Sequence, residues 1–146
     1  MNPPSLQQLI PILQLSVGPV ILISGIGLLL LSMTNRFGRA IDRARALEEA
    51  RRSATHETMG KIEAQIDVIV RRTRLLRLAI LWASVSVLLA AILIIVLFTT
   101  ALLGVDVAWP IALIFAGCLA AVIGSLIFFI LDLNASLQAL RLELGK

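Results

Sequence analysis

NRFGRAIDRARALEEARRSATHETMGKIEAQIDVIVRRTRLLR, residues 35–77, is the polar middle of an otherwise apolar chain. It holds eleven of the thirteen Lys and Arg residues and six of the nine acids. On either side of it, residues 3–35, 78–105 and 107–131 carry no charge at all. Crossing about 30 Å of hydrocarbon takes about 20 helical residues at roughly 1.5 Å each, and each of the three runs can supply them. The pattern predicts an all-α integral membrane protein: three transmembrane helices, with a cytoplasmic antiparallel helical hairpin between the first and the second. The expected division is an interfacial segment at 1–13, spans at 14–34, 78–103 and 109–131, the basic hairpin at 35–77, an outer turn at 104–108, and an amphipathic C-terminal helix at 132–146.

Composition excludes the soluble classes. A hydrophobic share of 59%, only 15% charge and a mean hydropathy of +0.98 lie outside the range of soluble domains. The +4 formal charge raises the question of nucleic acid. Its position answers it, because the arginines crowd beside the apolar runs and no nucleic-acid module is present, so no nucleic-acid partner is expected. The first run lacks a basic leader and a small-residue cleavage site, which points to a retained span. Cys118 is a single cysteine inside the third run and is expected to be a packing residue.

Eleven basic against six acidic residues give the middle segment a net +5. The positive-inside rule then puts it in the cytoplasm of a bacterial inner membrane, with the N-terminus outside and the C-terminus inside. Arg36, Arg39 and Arg43 close the first span on that side, and Arg71, Arg72, Arg74 and Arg77 open the second. These seven are expected to anchor on anionic lipid phosphates at the inner leaflet, or to line an electropositive channel mouth.

Two stripes of small residues point to helix packing. In the first span Gly18, Gly25, Ser32 and Asn35 share a side, because their separations are sums of three and four. In the third, Ala112, Ala116, Ala120 and Gly124 form a ladder beside Gly117 and Ala121. Small side chains let helix backbones approach closely in lipid, so both stripes are expected to pack against other helices. The first-span stripe is expected to meet the second or third span of the same subunit in a scaffold, with a water-lined path facing an oligomer axis as its alternative in a channel. The two faces together point to a homo-oligomer. Pro19 cannot donate to the carbonyl of Leu15 and is expected to kink the first helix.

Beyond Asn35 helical spacing continues through Phe37, Ile41, Ala44 and Leu47, then falters at SATHETMG, residues 53–60. Met59, Ile62, Ile66, Ile69, Thr73, Leu76 and Ile80 next repeat at alternating steps of three and four. This heptad seam leads into the second span. Ile62, Ile66, Ile69 and Leu76 are its expected contact residues. Leu133, Leu137, Leu140 and Leu144 give the C-terminal segment an apolar stripe of its own.

No reaction is legible. The three runs contain no acid, base or histidine, Asp106 and Asp132 fall at opposite membrane faces, and GxxxxGK[ST], CxxC and HExxH are all missing. The chain is expected not to be an enzyme and to need no cofactor or metal. In LLLLSMTNRFGRAIDRARALEEA and IDVIVRRTRLLRLAI it resembles the bacterial membrane family DUF2721, matching at Thr34, Asn35, Arg36, Arg39, Asp42, Arg43 and Arg45 and at Arg71 and Arg72. The resemblance implies a small protein of about three spans and no activity. The expected role is a homo-oligomeric membrane scaffold or accessory subunit whose hairpin docks a membrane or cytoplasmic protein. The alternative is an oligomeric ion or small-solute channel.

Overall fold

The structure, a computed structural model, describes residues 6–104 and 108–143, apart from the side chains of 6–9, 12, 56–57 and 137–143. The expectations for residues 1–5, for 105–107 of the outer turn, for the stripe beyond Ser136 and for 144–146 lie outside the described part. The described residues form three helices: α1 (Leu6–Arg52), α2 (His56–Leu103) and α3 (Ala108–Glu143).

The expected hairpin between the first two spans is not there as an element of its own. Residues 35–52 are the last turns of α1 and 56–77 the first turns of α2, so no extra helix lies between them. The physical reason is that a change of side-chain polarity does not end a helix. Termination needs a break in the main-chain ladder, and the helices run through both Asn35–Arg36 and Arg77–Leu78, where no proline stands. The break comes at Ser53–Thr55. There Ser53 and Ala54 donate backbone N–H bonds to the carbonyls of Ala50 and Arg51, and the Thr55 carbonyl accepts the first bonds of α2 from Thr58 at 2.9 Å and Met59 at 3.2 Å.

α1 stays helical through Pro11 and Pro19. α2 ends at Leu103, and the following Gly104 has a φ of 63°, in the left-handed region that lets a helix close on a glycine. Pro110 falls in the first turn of α3, where a missing N–H leaves no helical bond unmade. At about 1.5 Å per residue α1 and α2 are each about 70 Å long, more than twice what the hydrocarbon needs. All three helices are long and apolar enough to cross a membrane, yet only 17%, 28% and 17% of their most apolar windows are buried inside the chain. Leu28, Ile21 and Ile95, at 72%, 66% and 64% exposed, have lipid as their natural solvent. The Ser24 hydroxyl donates to the carbonyl of Val20 and the Thr99 hydroxyl to that of Ile95, which satisfies both donors within their own helix where lipid offers no partner.

The chain divides into two compact units, Met1–Leu30 with Trp82–Ile123, and Leu31–Leu81 with Gly124–Lys146. In the first unit Ser16 and Ile26 of α1, Ala83, Ser86, Ala90, Leu93 and Leu97 of α2, and Cys118 and Ala121 of α3 are buried. Ser86 and Cys118 clasp α2 to α3. The Ser86 hydroxyl donates to the Cys118 carbonyl at 2.9 Å, and the Cys118 thiol donates to the Ser86 carbonyl at 3.3 Å. In the second unit Met33 and Ala40 of α1, Ile69, Leu76 and Ala79 of α2, and Ser125 and Asp132 of α3 are buried. Here the Ser125 hydroxyl donates to the Ala79 carbonyl at 2.8 Å.

The inward face of α2 reads 69, 76, 79, 83, 86, 90, 93, 97, in steps of seven, then three and four. Alanine and serine take most of its middle positions, which suits association in lipid, where close backbone approach matters more than apolar bulk. Of the expected seam, Ile69 and Leu76 are buried while Ile62 and Ile66 are half-buried.

Candidate functional site

One arrangement in the second unit draws residues from all three helices. Asp132 of α3 is completely buried, although its neighbours on either side, Leu131 and Leu133, are not. Its Oδ2 accepts from Nη1 of Arg36 on α1 at 3.4 Å, and its Oδ1 from Nε of Arg72 on α2 at 3.3 Å. The ring of Phe129, one turn before Asp132 on the same face of α3, lies 5.5 Å from the Arg36 guanidinium carbon, a cation–π distance. Each arginine is partly covered, with 31% and 26% of its side chain exposed.

Sequence position explains how three charges come together. Arg36 is the first charge after the run 3–35, and Asp132 the first after the run 107–131. Both therefore stand where hydrocarbon gives way to headgroups. Arg72 lies six residues, about 9 Å of helix, before the second run begins at Leu78. A buried carboxylate without counter-charge would cost several kcal/mol, and here each oxygen meets a separate guanidinium. Among the described residues no buried side-chain nitrogen or oxygen lacks a partner. Two arginines on one aspartate leave the cluster a formal charge of +1.

The other five expected arginines are not gathered with these two. Arg39, Arg43, Arg71, Arg74 and Arg77 are exposed. Arg74 and Arg77, with Arg45 and Arg52, border an open groove of about 710 Å3 whose apolar lining is Ile41, Ala44, Ile69 and Val70. Glu48 and Glu49 also line it, and Glu48 meets Arg51 at 3.6 Å.

The packing residues divide in an unexpected way. Gly18, Gly25, Ser32 and Asn35 are all exposed, and a Cβ added at Gly18 or Gly25 would meet nothing within 4 Å. α1 turns the neighbouring stripe inward instead, with Ile26, Met33 and Ala40 each one residue further on. On α3, Ala112, Ala116 and Ala120 are exposed, Gly124 is half-buried and Ala121 is buried. A Cβ on half-buried Gly117 would sit 3.6 Å from Leu89, an ordinary contact.

Asp132 is the residue that the sequence reading missed as a site. Its one signal was a lone acid directly after a long uncharged run. Its partners lie 96 and 60 residues away, a pairing that no local pattern encodes. Among the described residues no three His, Cys, Asp or Glu side chains group to hold a metal. The arrangement joins helices and presents positive charge. No curated protein and no solved structure matches the chain. The profile of one family, described as a protein of unknown function, covers residues 16–142, which takes in all of the Arg36–Asp132–Arg72 cluster. The chain is thus an all-helical membrane protein that belongs to the DUF2721 family.

Proposed function

We propose that this protein is a non-enzymatic, homo-oligomeric membrane scaffold or accessory subunit, resident in the bacterial inner membrane with its charged helix ends in the cytoplasm. The observation that carries the reading is that both small-residue faces are open: Gly18, Gly25 and Ser32 on α1, and Ala112, Ala116 and Ala120 on α3. Internal packing uses other residues, so these faces are free to receive helices of another subunit at close approach. The charged ends of α1 and α2, with the groove bordered by Arg45, Arg52, Arg74 and Arg77, form the surface for a cytoplasmic partner, and the exposed arginines nearest the spans contact anionic lipids.

Gly25→Leu tests the assembly. Because nothing lies within 4 Å of the added Cβ, the monomer should fold as before. Self-association should weaken roughly tenfold, equivalent to about 1.4 kcal/mol, as read by crosslinking in native membranes and by native mass spectrometry. Crosslinking of the unmodified protein that yields only monomer would sink the proposal.

A second reading, an oligomeric channel, draws support from the same face. The open stripe continues to exposed Asn35 and Arg39, which would form a ring around an oligomer axis. Ile21 and Leu28 interrupt the stripe and are 66% and 72% exposed, so a wet path would have to cross two apolar levels. The scaffold reading expects no chloride or potassium flux in liposomes. Single-channel currents whose selectivity is reversed by Arg39→Glu would decide for the channel.

The orientation has its own test. Single cysteines at Ser53 or Thr55, both exposed, should react with impermeant reagent only after the inner face is opened. Labelling in intact cells would reverse the topology.

A further inference from the structure

We propose that Arg36 and Arg72, held in place by Asp132, form a binding site for one phosphate-ester anion at the inner membrane boundary. The proposal rests on the anionic-lipid contact above and narrows it from a general attraction to two named residues.

Charge is the first argument. The cluster has one carboxylate for two guanidiniums, and the carboxylate is fully buried while the arginines are 31% and 26% exposed. The surplus positive charge therefore faces outward in a setting poorer in water than a free surface. An anion there is attracted more strongly than at a solvated arginine. Geometry is the second. A guanidinium carries five N–H donors in a planar fork, and each of these arginines directs one nitrogen to Asp132, Arg36 through Nη1 and Arg72 through Nε. Because they hold the two oxygens of one carboxylate, both guanidiniums are gathered around a single point, and the donors that Asp132 leaves over on each can be offered to different oxygens of one phosphate. Phe129 against Arg36 further limits the directions that this fork can take.

Depth is the third argument. Arg36 and Asp132 immediately follow uncharged runs, so the cluster lies at the level of lipid phosphodiesters. A soluble phosphate ester offers the same chemistry, and the experiment separates the two sources.

The full-length protein is reconstituted in phosphatidylcholine bilayers with and without phosphatidylglycerol, and retained lipid is counted by native mass spectrometry alongside the thermal transition. The unmodified protein should hold phosphatidylglycerol about tenfold more tightly than phosphatidylcholine and melt higher in its presence. Arg72→Gln and Arg36→Gln each leave one arginine on Asp132, a neutral pair that preserves the tie to α3. Either should lose the preference and the melting shift; should one variant not fold, the other carries the same test. Lys61→Gln removes an exposed basic residue outside the cluster and away from the spans and should keep both. Asp132→Asn should be destabilised in neutral bilayers and partly rescued by phosphatidylglycerol, whose phosphate replaces the lost counter-charge. Rescue and stabilisation by millimolar inorganic phosphate in neutral bilayers would support the site and assign it to a soluble anion. The proposal is overturned if the unmodified protein shows neither a preference for phosphatidylglycerol nor stabilisation by inorganic phosphate, or if Lys61→Gln costs as much as Arg72→Gln. The latter result would leave the general anionic-lipid contact standing while removing this site.

Discussion

Asp132→Ala is expected to destabilise the protein by about 3–5 kcal/mol, the range for removing one partner of a buried ion pair. The aspartate is wholly buried and is held by one arginine from each of the other two helices. Its loss leaves two partly buried guanidiniums in one place without their shared anion, and like charges held close together repel. Arg36→Gln and Arg72→Gln should each cost less, because a paired carboxylate remains in both. The measurement is reversible unfolding in mixed micelles, read by circular dichroism as the denaturing detergent is increased. A double-mutant cycle between Arg36 and Arg72 should show coupling, since both act through one carboxylate. An Asp132→Ala protein within about 0.5 kcal/mol of the parent, the range of ordinary surface changes, would mean that the cluster does not hold the helices together.

The second large effect contrasts two adjacent alanines. Ala121 is 1% exposed inside the first unit, whereas Ala120 lies exposed on the outer side of α3. Ala121→Leu inserts three carbons into a closely packed interface and should destabilise the monomer by about 1–3 kcal/mol or more, by forcing neighbouring backbones apart. Ala120→Leu should leave monomer stability within about 0.5 kcal/mol and act instead on assembly. Unfolding curves and oligomer distributions measured on the same samples separate the two effects. Equal destabilisation by both would show that the inward face of α3 is drawn in the wrong place.

The membrane character of the chain was determined by the sequence alone. Three long uncharged runs leave no soluble way to bury them, whatever the tertiary arrangement. The crowding of eleven basic residues into 35–77 was equally plain, as were the small-residue stripes. The tertiary structure decided what these features do. Residues 35–77 read as a separate hairpin in sequence because their charge differs so sharply from their flanks, yet helix continuity depends on backbone bonding, and α1 and α2 run through that boundary unbroken.

The stripe Gly18–Gly25–Ser32 is real as a pattern, but the face that packs inside the chain lies one residue on, at Ile26 and Met33. A rotation of about 100° per residue separates the two, and only the packed neighbours reveal which side turns inward. Arg36 and Arg72 were legible as basic residues near a boundary. That two of seven arginines share one buried aspartate could not be read locally, because the ion pairs span 96 and 60 residues and exist only where the three helices pack together.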